Sequence, residues 1–171
     1  MTIEKPSPFW RTVDLSRTAL VLSDVQSQVL FHMPEPLRAP YIARINRILT
    51  HFRIQIAKLR AEKEPSDLAP NDGIPLILHH VVPFGTNSNA FVSPYNKLNT
   101  WAIQRLKGFP LPAAATDPKT PFYALPDGIT PPTGWNADEV LLGKIQPGSF
   151  VNSDVLTYLR ARDISTWFSW V

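Results

Sequence analysis

The segment "ALVLSD", residues 19–24, is apolar at consecutive rather than alternate positions, and it stops on a carboxylate. Side chains along a strand alternate between the two faces of a sheet, so such a run fits only where both faces are covered. That is the situation of a parallel strand with helices on either side. Two later runs, "IPLILHHVV" at 74–82 and "DEVLLGK" at 138–144, read as further strands, and "ISTWFSWV" at 164–171 reads as the beginning of a fourth.

Between these strands the apolar period changes to that of a helix. After a Pro-containing loop, "HMPEPLRAP", residues 41–63 read as a helix whose apolar face is Ile42, Ile45, Ile48, Leu49, Phe52, Ile56 and Leu59. Arg44, Arg47, Arg53, Lys58 and Arg60 fill most of the rest and read as a solvated face. "SPYNKLNTWAIQRLKG" is expected to form a short helix closed by Gly108, and "SDVLTYLRARD" another, with Ser153 or Asn152 as its N-cap. Strands alternating with helices predict an α/β fold, a Rossmann-like three-layer arrangement with a mostly parallel sheet.

A length of 171 residues with 44% hydrophobic content suits one globular domain. Residues 1–17 read as an extended N-terminal arm carrying Pro6, Pro8, Phe9 and Trp10, and residues 18–171 as the domain. Residues 109–134 hold seven of the 18 prolines and read as a Pro-rich loop insertion: a lid, a binding loop or a partly disordered segment.

Several function classes fall away. With no cysteine, disulfides, thiolate metal sites and a Cys nucleophile on this chain are excluded. No apolar run reaches the length of about 18 residues needed to cross a bilayer, and "MTIEKPSPFWRTVD" lacks the apolar core of a secretory signal. The expectation is a cytoplasmic protein with no membrane partner. The net charge of +3 is spread along the chain, so no nucleic-acid partner is expected; binding through the basic helix is kept as the last of three readings. No GxGxxG, P-loop or GxSxG pattern is present. His79 and His80 are strand neighbours that point to opposite faces and cannot chelate one ion, and His32 and His51 belong to no ligand motif. Neither a metal nor a cofactor is expected. One of His79 and His80 could face a pocket, the other reading being a satisfied core or surface histidine.

Ligands of open parallel sheets bind at the carboxyl ends of the strands, and two charged residues stand at such ends, Asp24 and Lys144. An Asp there is also a common turn former or helix cap, and a strand-end Lys commonly snorkels. Placed together, they could take a proton from a thiol and hold the thiolate.

The order "TALVLSDVQSQVL", "IPLILHHVVPFG", "DEVLLGKIQPGSFVNSDVLTYLRARDI" resembles the isochorismatase-like family of cysteine hydrolases. That family has an apolar strand ending in Asp-x-Gln and a later strand ending in Lys. A small residue and Phe follow, then a helix of the T/S-D-L-x-x-x-L-R-x-R-G-I type. Asp163 stands here where a helix-ending Gly is usual. The resemblance implies that Asp24 is the general base, that Lys144 steadies the thiolate, and that Gln26, Asn87 and Phe150 border the substrate. It also implies hydrolysis of a small amide or vinyl ether through a cysteine placed at a helix start after the strand matched by "STWFSWV". No such cysteine is present. The expectation is therefore a C-terminally incomplete, inactive copy of the hydrolase. The alternative is a non-catalytic subunit that binds a small-molecule ligand or modulates an oligomer, self-associating or pairing with a full-length relative through its C-terminal edge.

Overall fold

The computed structural model describes residues 13–31, 33–63, 73–81, 125–143, 150 and 154–170. Four strands form one sheet: β1 Thr18–Ser23, β2 Leu76–Val81, β3 Glu139–Gly143 and β4 Thr166–Trp170. Three α-helices are α1 Ser27–Phe31, α2 Glu35–Ala61 and α3 Val155–Ala161. The strand order is β3-β2-β1-β4, and every pairing is parallel. The expected α/β fold is the fold found.

All six residues of β1 and all six of β2 are buried, as consecutive apolar runs require. Alternation sorts them into two cores. On one face Leu20, Leu22 and Ile77 meet Ile45, Leu49 and Phe52 of α2, together with Val25, Leu30 and Ile129. On the other, Ala19, Val21, Leu76 and Leu78 meet Leu142 of β3 and Val155 and Leu159 of α3. Full burial of each such Leu or Ile is worth about 1.5–3 kcal/mol. The two layers therefore hold the sheet from both sides.

Helix α2 starts at Glu35, six residues before the expected Tyr41, and takes in two of the three prolines of the supposed loop, the third, Pro34, being its N-cap. Pro36 lies in the first turn, where no backbone N–H is needed. Pro40 follows one turn later, so its missing N–H forfeits a single bond near the helix end. Glu35 favours that end electrostatically, and Lys58 and Arg60 favour the other. At α3 the capping position falls on Asp154, beyond the expected Ser153 or Asn152. Asp154 has helical backbone angles and makes no side-chain cap bond; its carbonyl instead takes the Tyr158 N–H at 3.0 Å.

The end of the N-terminal arm is a 3-10 turn, Leu15–Arg17, rather than extended chain. The Asp14 carboxylate caps it by accepting the Ser16 N–H at 3.0 Å. Arg17 then ties this turn to the entry of β4: its carbonyl accepts the Ser165 N–H at 3.1 Å, and its guanidinium pairs with Asp163 at 3.1 Å. The described part of the Pro-rich insertion consists of turns anchored on α2. Ile129 is fully buried in the α2 core, and Gly128, at φ +80°, lies against Asn46, where a Cβ would stand 2.8 Å from Nδ2. The helix expected at 93–108 lies outside the described residues, as do residues 1–12 and 109–124.

Candidate functional site

Parallel pairing brings all four carboxyl ends to one edge of the sheet. From β1 the chain builds outward to β2 and β3, then returns to place β4 on the other side of β1. The strand order thus reverses at β1, and the crevice of such a sheet opens beside the reversal, outside the carboxyl ends. Asp24 follows β1 at that point.

Asp24 has a φ of +61°, in the left-handed region. Asp and Asn enter this region more readily than other non-glycine residues because a short polar side chain can bond locally. The Asp24 N–H donates to the His80 carbonyl at 2.9 Å, carrying the β1–β2 ladder one residue past β1. The Ser23 hydroxyl donates to Asp24 Oδ2 at 3.3 Å. Gln26 is fully buried, and its carbonyl accepts the Leu30 N–H at 3.0 Å as α1 begins.

Lys144 and Asn87 lie outside the described residues. Gly143, the residue before Lys144, is level with Val81 at the same sheet edge as Asp24. The strands that lead to Asp24 and Lys144 are not neighbours, however, since β2 separates β1 from β3. Phe150 is half-buried against the core on the α3 side of the sheet, with its ring 5.6 Å from that of Trp167.

The two histidines occupy opposite faces, as strand geometry requires. His80 lies on the α3 face, level with Ser23 in β1 and Leu142 in β3. His79 lies on the α2 face, where Nε2 stands 2.7 Å from Glu139 Oε1 and the ring meets Trp135 edge-on at 5.1 Å. No group of three or more His, Asp or Glu side chains arranged to hold a metal occurs among the described residues.

A second polar cluster was not foreseen from the sequence. Glu139, at the start of β3, accepts both His79 and a two-pronged Arg53, with Nε at 2.9 Å and Nη2 at 2.7 Å. Asp138 accepts a two-pronged Arg60, at 2.8 and 2.6 Å, and Arg162 of the α3 C-cap at 2.9 Å. Arg53 and Arg60 therefore turn inward, which corrects their reading as part of a solvated face. The sequence signal was their spacing of seven, two helical turns on one face, opposite an adjacent acid pair. Burial pushes both carboxyls up, but hydrogen bonds from Arg60 and Arg162 to Asp138, and from His79 and Arg53 to Glu139, outweigh it. Both stay below the ordinary carboxylate range. A recess of about 220 Å³ beside this cluster is lined by Arg53, Asn136, Asp138 and Glu139. Its charged walls already bond one another, which marks a structural clamp.

No family model matches the chain, and no curated protein matches it. Among solved structures, a cysteine hydrolase from Pseudomonas syringae pv. phaseolicola 1448A is similar at 19% identity with a TM-score of 0.54. The match covers 99% of this chain and 66% of that one, so the chain spans just under two thirds of its neighbour's length. At this identity the likeness is one of fold.

Proposed function

We propose that this chain carries the acid–base half of an isochorismatase-like cysteine hydrolase site and does not turn over small amides or vinyl ethers by itself. In this reading Asp24 is the base that would take a thiol proton. Lys144 would steady the thiolate, and Gln26, Asn87 and Phe150 would border the ligand. The observation that carries it is the position of Asp24: a left-handed residue at the carboxyl end of the strand where the sheet order reverses. The fold likeness to a cysteine hydrolase supports the same reading. Covalent catalysis of the cysteine-hydrolase kind needs a Cys thiolate, and these 171 residues contain no Cys. The reading also has the protein resident in the cytoplasm, which fractionation of the tagged protein tests.

The enzymatic test is hydrolysis of nicotinamide, isochorismate and simple amides by pure protein beside Asp24→Asn. Equal, background-level rates are expected. Turnover by the wild type that disappears in Asp24→Asn would refute the claim that the chemistry is incomplete.

One observation favours a second reading, a non-catalytic subunit that pairs through β4. Among the described residues this strand is one of the two sheet edges; it carries no charge, and Trp167 and Phe168 are 47% and 46% exposed. Uncharged aromatic edges invite a further strand. Light scattering would show an oligomer, or a stoichiometric complex with a full-length hydrolase, if this reading holds. A lone monomer in both experiments would remove it.

A further inference from the structure

We infer that Ser23 is a positioning residue for the Asp24 carboxylate, an assignment that rests on the proposed role of Asp24. From Ala19 to Leu22, β1 is wholly apolar and covered on both faces. At the next position, 4% exposed, stands a hydroxyl where Val or Ile would continue the pattern. A hydroxyl buried without a hydrogen bond is destabilising, so what it bonds accounts for its presence. One of its bonds goes to Asp24 Oδ2 at 3.3 Å, and a hydroxyl facing a carboxylate oxygen is the donor.

The backbone of Asp24 is fixed separately. Its N–H is held by the His80 carbonyl of the adjacent strand, and its φ of +61° takes the residue out of the strand's alternation. The main chain thus fixes where Asp24 leaves the sheet, and the Ser23 hydroxyl acts on how the carboxylate is turned. Reacting groups require both, since a side chain with one hold samples rotamers that point away from a substrate. Ser23 acts through Asp24 and is not itself placed against a reacting atom.

The test is carbon NMR of protein labelled at the Asp side-chain carboxyls, with the Asp24 resonance identified by its loss in Asp24→Asn. In Ser23→Ala that resonance is expected to shift and broaden while the melting temperature stays within a few degrees of wild type. In Ser23→Thr, which restores the hydroxyl, it is expected to return to its wild-type position. An unchanged resonance in Ser23→Ala, or an equal displacement in Ser23→Thr, overturns the assignment. The hydrolase reading fails by a different measurement, the turnover comparison of wild type with Asp24→Asn, and its failure would leave the carbon resonances as they are.

Discussion

The start of β3 and the end of β1 are the two polar regions of this sheet, and they are built in opposite ways. At Asp138 and Glu139, two carboxylates are closed in by three arginines and a histidine drawn from α2, β2 and the α3 C-cap. Each charge there is spent on another part of the same molecule. At Asp24 a half-buried carboxylate sits on a left-handed backbone, at the edge where parallel sheets take ligands. The first arrangement holds layers together; the second holds one group in place. Buried charge density here marks the joint between layers, not the carboxyl ends of the strands.

The largest test of that contrast is Glu139→Ala. It leaves His79 and Arg53 facing an empty buried site, and breaking a buried pair of this kind costs about 3–5 kcal/mol. Urea unfolding should show most of the stability gone. Acid sharpens the same point. Asp138 and Glu139 have depressed pKa values in the folded state, so the stability they contribute is present above the unfolded-state value near about 4. It should be lost as pH falls from there through their lowered folded values. Urea midpoints followed downward from neutral pH should drop in that window, and a combined Asp138→Asn, Glu139→Gln variant should show a shallower slope.

At the other end the expected effects are smaller and follow the backbone. Asp24→Val places a β-branched residue in the left-handed region and should cost about 1–2 kcal/mol. Asp24→Asn keeps the favoured backbone and should change stability by no more than about 0.5 kcal/mol in the same denaturation experiment. A loss at Asp24→Asn as large as that of Glu139→Ala would erase the distinction between the two regions.

Local pattern carried much of the fold. Consecutive apolar runs located β1 and β2, and helical spacing located the buried stripe Ile45, Leu49 and Phe52 of α2. Pro36 and Pro40 hid the true start of that helix because proline near an N-terminus is compatible with a helix but looks like a loop signal. The sheet order was not legible, since pairing β4 with β1 joins residues far apart in the chain. That Asp24 closes β1 was visible, but its left-handed turn and its hold on His80 depend on the pairing of β1 with β2. Arg53 and Arg60 could be read as inward-facing only once β3 was known to begin beneath them.

The positive φ at Asp24 changes how variation there should be interpreted. A left-handed position admits a short menu, chiefly Gly, Asn and Asp, so an unvarying small polar residue in related sequences would record a demand of the main chain as much as one of chemistry. Asn and Gly become the telling replacements: they keep the bend of the chain and discard the carboxylate, and so separate the demand of the backbone from that of the charge.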